Sequence, residues 1–264
     1  MGADSEPRDD VSSHGLDASR PADPTIDVEL VDAVFDEWVA RRAADPSAGY
    51  LVLYELASRR VGQPVMELDP ALRRALGDRA LPVIYPGSSF VPGSSTGRQP
   101  IVVVDYDPTW PQKYEVWRGR IVAVVPADAR VEHVGSTSVP GLPAKPIIDI
   151  QLSVSDVNDE DSYIPGLQSL GLEFRVRDDV HRYLRREEDG QRVVHLHVCE
   201  HGSTWERDHL DFRDHLRRDA TARQRYADLK RHLGEVWEHD RMAYTEAKGD
   251  LIRELIAEGR ATRG

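Results

Sequence analysis

The segment Glu132-His133-Val134-Gly135-Ser136-Thr137-Ser138 and, beyond it, Pro143-Ala144-Lys145-Pro146-Ile147-Ile148-Asp149-Ile150 hold the residues best suited to chemistry. An apolar run delivers Gly135-Ser136 into a tight turn. Glycine there lets the backbone approach a phosphate closely, and the hydroxyls of Ser136, Thr137 and Ser138 can donate to it. The next apolar run presents Asp149 at the same edge. A carboxylate beside a phosphate cradle is what a Mg2+-bridged triphosphate requires, because the cation takes oxygens from both and neutralises charge on the leaving pyrophosphate. Asp149 and Ser136 are therefore the candidate catalytic pair. Further on, His195 and His197 stand two apart, which puts both on one face of a strand. Neutral imidazole suits Zn2+ or Mn2+ better than Mg2+. Such a pair also serves many sheets merely by hydrogen-bonding its neighbours, and the residues alone leave both readings open.

Several cations are candidates for holding phosphates. Lys145 lies in the loop between turn and strand, stiffened by Pro143 and Pro146. Arg213 falls in Phe212-Arg213-Asp214-His215-Leu216-Arg217, and Lys230 and Lys248 fall in helical patterns near the C-terminus. Each either reaches a ligand or simply charges a solvated helix face. Glu132 and His133 flank the turn and are placed to order it.

The elements that must position these groups form a mixed pattern. Residues 101–104 (IVVV) predict a short strand, 110–125 a helix starting near Thr109, and 130–136 a strand running into the turn. Residues 146–154 predict a strand of period two, with Ile148, Ile150 and Leu152 on one face and Ile147, Asp149 and Gln151 on the other. A helix is expected at 159–170, then strands at 172–176, 181–187 and 192–199, with Asp189-Gly190 as a hairpin turn. From Trp205 the chain reads as helical. Ahead of this domain, at 100–262, lies a Pro/Gly/Ser-rich stretch (85–99) that reads as a linker. Its Gly87-Ser88-Ser89 and Gly93-Ser94-Ser95 lack the preceding strand and Gly-Lys-Ser/Thr ending of a phosphate loop. Residues 25–84 predict a small module of three helices, the second stopped near Gly62 and the third capped by Asp69-Pro70. That module carries no catalytic motif, so packing or a protein partner is its expected role. Residues 1–24, nearly devoid of apolar side chains, are expected to be a disordered tail.

The block EHVGSTSVPGLPAKPIIDI resembles the hallmark of the GrpB family, and more broadly the Gly-Ser turn and acidic strand of the DNA polymerase β-like nucleotidyltransferases. The likeness continues in VDYDPTWPQKY (103–113), HLHV (195–198), FRDHLR (212–217) and the Tyr226/Lys230 and Tyr244/Lys248 pairs. It implies an α/β (α+β) fold, a mixed-sheet nucleotidyltransferase-like domain with C-terminal helices. It also implies a helical lysine at the triphosphate tail, a nucleoside triphosphate as substrate and a divalent metal, Mg2+ or Mn2+ ahead of Zn2+, as cofactor. Enzymes of that superfamily carry a second carboxylate at the alternate strand position and a third on a later strand. Here those places hold Gln151 and the histidines, so the implied site is either a rebuilt one of Asp149, His195 and His197 or a decayed one. The corresponding functions are metal-dependent transfer of a nucleotidyl, or other ATP-activated, group to a small acceptor, or a nucleotide-sensing or interaction module. GrpB-like domains also resemble accessory parts of dephospho-CoA kinase, which links the second function to coenzyme A metabolism.

Composition bounds these readings. With 264 residues, 40% hydrophobic and 30% charged, the chain is of ordinary globular type. A formal net charge of −12 disfavours general nucleic-acid binding, since the surface repels phosphate backbones, though a local basic pocket can still hold a small nucleotide. No run approaches the ~18 apolar residues of a membrane helix. The N-terminus lacks a secretory pattern, and the single cysteine, Cys199, cannot form an internal disulfide. A cytoplasmic location is expected, with Cys199 as a small apolar residue rather than a nucleophile.

Overall fold

The structure, a computed structural model, describes residues 26–84, 89–90 and 100–262. The expected tail lies outside them, as does most of the expected linker. The three expected helices form as α1 (Val28–Ala44), α2 (Tyr50–Val61) and α3 (Pro70–Ile84). Asp27 caps α1 by accepting from the Leu30 amide, and Asp69 caps α3 by accepting from Ala71 N at 2.7 Å. Gly62 ends α2 in the left-handed region, φ 74°.

The sheet follows from alternation. Its order is β1 (Ser89–Phe90), β4 (Glu173–Arg177), β5 (His181–Glu188), β6 (Gln191–Glu200), β3 (Ile148–Val154), β2 (Arg130–Val134). Among the described residues only β3 and β6 run parallel; the other neighbours are antiparallel. The fold is thus α+β on a mixed sheet. One face carries Ile148, Ile150, Leu152, Leu184, Val194, Leu196 and Val198, all buried. Against it pack α4 (Trp110–Val122) and the short α5 (Ile164–Ser169), through Trp110, Trp117, Ile121, Ile164 and Leu167. The opposite face carries Asp149, Gln151, His195, His197, Tyr183 and Arg185, because residues opposite one another across a ladder share a face. Near that polar face lie α6 (Thr204–Arg218), α7 (Ala220–Val236), α8 (Arg241–Glu246) and α9 (Gly249–Ala261).

Three expectations need correction. Residues 101–104 form no strand, only an isolated bridge between Val104 and Ala144. Ile101 turns away to join the helical core, its amide donating to Glu238 O at 2.7 Å. The helix expected over 159–170 is a 3-10 turn (Glu160–Ser162) followed by α5, which Pro165 opens. The expected linker holds a two-residue strand, β1, at the sheet edge, paired Ser89 to Arg177 and Phe90 to Val176. Helices α1–α3 also share one apolar cluster with Ile101, Leu233, Trp237, Ala243 and Tyr244. Among the described residues no helix is long and apolar enough to cross a membrane.

Candidate functional site

Strand β2 ends at Val134 and the chain turns sharply. Gly135 has φ 66° and ψ −169°, a conformation essentially reserved for glycine. A Cβ there would lie 2.4 Å from Asp149 Oδ2, so the missing side chain is also what admits the carboxylate. The 3-10 turn Ser136–Ser138 follows, pinned from several sides. Ser138 Oγ donates to Gly135 O at 2.6 Å, and Thr137 Oγ1 donates to Ile147 O at 3.3 Å. His133 Nε2 sits 3.0 Å from Thr137 Oγ1, and its ring stacks on Tyr114 at 4.6 Å. Burial lowers the His133 pKa to about 4. His133 and Glu132 do order the turn, the latter by holding Arg213.

A cavity of about 330 Å³ opens between this turn, the polar sheet face and the C-terminal helices. Gly135, Ser136, Lys145, Asp149, His195, His197, Lys230 and Lys248 all line it. Ser136 is also a side-chain hydrogen-bond partner of Tyr226. Asp149 is 30% exposed and its Oδ1 lies 3.1 Å from His195 Nδ1. Burial pushes the Asp149 carboxyl up, but the His195 hydrogen bond and the positive potential of its surroundings, Lys145 included, more than offset it, down to about 2. Burial lowers His195, and lowers His197 well below its ordinary value, so both imidazoles are neutral near pH 7.

Asp149, His195 and His197 each offer a ligand atom within 4.8 Å of the others'. His195 Nε2 is buried without a hydrogen-bond partner among the described residues. That orphan, with two neutral imidazoles and one ionised carboxylate, fits a single borderline cation such as Zn2+ or Mn2+.

The lysines converge from three elements. Lys230, 2% exposed, donates to Pro143 O and lies 4.8 Å from the Tyr226 ring centroid. Lys248 lies 4.1 Å from the Tyr244 ring centroid, and Lys145 lies 5.3 Å from the same ring. Burial first, then crowding by one another or by Arg241, lowers Lys145 to about 8, Lys248 to about 7 and Lys230 to about 6. Three amines thus gather around one carboxylate.

Not every expected residue is here. Arg213 lies off the cavity, donating to Glu132 Oε2 at 2.7 Å, to His133 O at 3.1 Å and to Asp214 Oδ1 at 2.7 Å. It is a strut between α6 and β2. Thr137 is sealed at 1% exposure with its hydroxyl engaged, and Ser138 lines an open groove shared with Tyr114 and Arg217 instead. Gln151 shares the face of Asp149, as expected, but is fully buried and does not line the cavity; its amide donates to Ser153 Oγ at 3.3 Å.

Sequence reasoning missed His181, Trp205, His209 and Arg217. His209 lines the cavity and stacks on Trp205 at 3.6 Å; His181 stacks on the same indole at 5.0 Å. Arg217 clamps the turn by donating twice to Ser138 O, at 2.9 and 3.0 Å. The signal for His209 is its spacing four before Arg213 on α6; Arg217 repeats that spacing on the other side.

The sequence model described as GrpB protein matches residues 100–258. The chain belongs to the GrpB family. It is similar to a UPF0157 protein of Streptomyces coelicolor, 44% identical over 60% of this chain and 84% of that protein. It is likewise similar to the crystal structure of the conserved protein GrpB from Enterococcus faecalis. That match has a TM-score of 0.54 and 28% identity, over 61% of this chain and 99% of that one. More distantly, a dephospho-CoA kinase of Mycolicibacterium paratuberculosis is 29% identical over 60% of this chain and 45% of the kinase. Helices α1–α3 lie outside the family match.

Proposed function

We propose that the cavity binds a nucleoside triphosphate together with one divalent cation, and that the GrpB domain transfers its nucleotidyl group to a small acceptor. The observation that carries this reading is the meeting of three lysine amines, that of Lys230 fully buried, with Asp149, His195 and His197 in one cavity beside a glycine turn. Lys145, Lys230 and Lys248 hold the phosphates, and Ser136 with the open backbone at Gly135 takes the phosphate nearest the strand. Asp149, His195 and His197 would hold the cation, which supplies Lewis-acid polarisation of the phosphoryl oxygens when bound. In the transfer, an acceptor hydroxyl gives its proton to solvent as its oxygen bonds to the α-phosphorus, and the bond from that phosphorus to the α–β bridging oxygen breaks. Pyrophosphate leaves with that electron pair onto the lysine side of the cavity.

The test is calorimetry of nucleoside triphosphates with Mn2+, Zn2+ or Mg2+. Binding should require the metal, be lost in Asp149→Ala, and weaken in smaller steps in His195→Ala and His197→Ala. Metal-dependent binding that survives Asp149→Ala sinks the reading. A second reading, a nucleotide-sensing module without turnover, is favoured by one observation. Gln151 is sealed away, so the cavity has one sheet carboxylate where a two-metal enzyme needs more. Pyrophosphate release across a panel of small acceptors, including dephospho-coenzyme A, separates the two.

A further inference from the structure

His197 does not face the cavity unaided. Its Nδ1 lies 2.9 Å from Nε2 of His181 on the neighbouring strand. His181 Nδ1 in turn lies 3.5 Å from Oδ2 of Asp178, with which it hydrogen-bonds. Asp178 is fixed by the turn between β4 and β5: its amide donates to His181 O at 3.0 Å, and its Oδ1 accepts from Val180 N at 3.0 Å. The His181 ring is gripped as well, stacked on Trp205 at 5.0 Å and on His197 at 5.2 Å. Neither His181 nor Asp178 lines the cavity.

The proton positions follow by elimination. An ionised carboxylate only accepts, so His181 Nδ1 carries the hydrogen that points to Asp178. At pH 7.5, above the ordinary imidazole value of ~6.5, the His181 ring holds one proton, so its Nε2 is a bare lone pair. That lone pair can only accept, so His197 Nδ1 must donate. The 2.9 Å contact needs one donor and one acceptor, so the single proton of the neutral His197 ring is spent on it. Its Nε2 is therefore left bare as the atom it can offer a cation. The opposite tautomer would set two lone pairs against each other at 2.9 Å and present an N–H where a ligand atom is needed.

We propose that Asp178 and His181 are positioning residues which lock His197 in the Nδ1–H tautomer, so that its Nε2 lone pair stands ready for the cation. The tautomer lock stands by itself; its use in metal binding rests on the reading of the cavity given above. A hydrogen-bonded partner on the far nitrogen of a ligating imidazole fixes both its orientation and its tautomer, and its loss typically weakens metal affinity ~10–100-fold.

The experiment is long-range 1H–15N correlation NMR of the full chain with 15N-labelled histidine at pH 7.5. It is run beside calorimetry with Mn2+ and Zn2+ alone. In the wild type, His197 should show a protonated Nδ1 and a bare Nε2. His181→Phe keeps an aromatic ring to stack on Trp205 but removes the acceptor; His197 should then populate the other tautomer and metal affinity should fall ~10–100-fold. Asp178→Asn has one oxygen, which Val180 N holds, so its amide N–H turns toward His181 Nδ1 and should drive both rings to the opposite tautomer, whereas Asp178→Ala, which only removes the acceptor, should show a smaller shift of the same kind. Should His181→Phe fail to fold, the Asp178→Ala and Asp178→Asn pair decides alone. A wild-type His197 protonated at Nε2, or a tautomer unmoved in His181→Phe or Asp178→Ala, overturns the lock. A wild type that binds neither metal while the tautomer responds as stated would overturn the cation site and leave the lock intact.

Discussion

Gly135 and Asp149 are one feature seen from two strands. The glycine conformation belongs to almost no other residue, and the space a side chain would take is filled by the carboxylate. Gly135→Ala should therefore cost roughly 1–3 kcal/mol of stability from backbone strain alone. It should also displace Asp149, so metal-dependent nucleotide binding measured by calorimetry should be lost even where the protein still melts cooperatively. Binding unchanged in that variant would mean the carboxylate has no part in it. Gln151 is the contrasting residue. Its Oε1 is buried with no partner among the described residues, and its amide ties only to Ser153. Gln151→Glu would place a charge where nothing compensates it, at a cost of roughly 3 kcal/mol. We expect a lower Tm at pH 7.5, a deficit against wild type that shrinks toward pH 5 as the new carboxyl protonates, and no second metal. A second equivalent of Mn2+ bound by the variant would show that position 151 does open to the cavity.

At the scale of elements, the site is a meeting of lysines from a loop, from α7 and from the start of α9. Their depressed values have two measurable consequences. An anionic ligand must raise them again, so nucleotide binding near pH 7.5 should take up protons. Calorimetry in buffers of different ionisation enthalpy reads this directly, and proton release would contradict it. In the free protein, lysines held at about 6 to 8 bind fewer protons than in the unfolded chain, where their pKa is ~10.4. The unfolded state therefore holds more protons above about pH 6, and stability rises with pH through that window. His133 and His181, both lowered to about 4, act in the same direction below ~6.5. The Tm of the ligand-free protein should climb from pH 5 to pH 9, and Lys145→Met should flatten the upper part of that climb. Much of this arrangement was legible beforehand. The turn, β3 and the alternating His195/His197 come directly from local patterns, because glycine, period-two alternation and caps act over a few residues. The partners His181 and Tyr183 did not, for a physical reason. Counting back across the Asp189-Gly190 hairpin with simple pairing sets Tyr183 opposite Leu196, on the apolar face. A register shift between Arg186 and Glu187 moves Tyr183 opposite His197 and His181 opposite Cys199, onto the polar face. A bulge leaves little trace in a sequence of strand-forming residues. Arg213 misled for a related reason: helix spacing fixes which face it occupies, but not that Glu132 and Asp214 claim its guanidinium.

At the scale of the whole molecule, the N-terminal helices are joined to the family domain by more than chain. Glu246, the last residue of α8, caps α2 from outside by accepting from Tyr50 N at 2.6 Å and Leu51 N at 3.1 Å. Gly49 leaves room for that carboxylate, since a Cβ there would meet it at 2.4 Å. Tyr54 packs against Trp237 at 6.1 Å, and Arg73 lies 5.6 Å from the same indole. These contacts brace α8, which carries the cavity residues Tyr244 and Thr245 and leads into Lys248. Glu246→Ala should cost about 1 kcal/mol through the lost cap, a Tm fall of roughly 2–4 °C. It should also weaken nucleotide binding although Glu246 never meets the ligand. Residues 85–99 are rich in Gly, Pro and Ser, the composition at which proteases cut first. If the helices were an independent module, the two pieces of a chain nicked there would part on dilution. Each of Leu233, Trp237 and Tyr244 buried against the N-terminal helices contributes on the order of 1.5–3 kcal/mol, so the surface between the pieces is core rather than contact. We therefore expect the nicked fragments to co-elute in gel filtration at micromolar concentration and to separate only in denaturant. The fragment beginning near residue 100, expressed alone, should aggregate or melt lower. Fragments that elute separately, with nucleotide binding intact in the larger one, would return residues 25–84 to the status of an appended module.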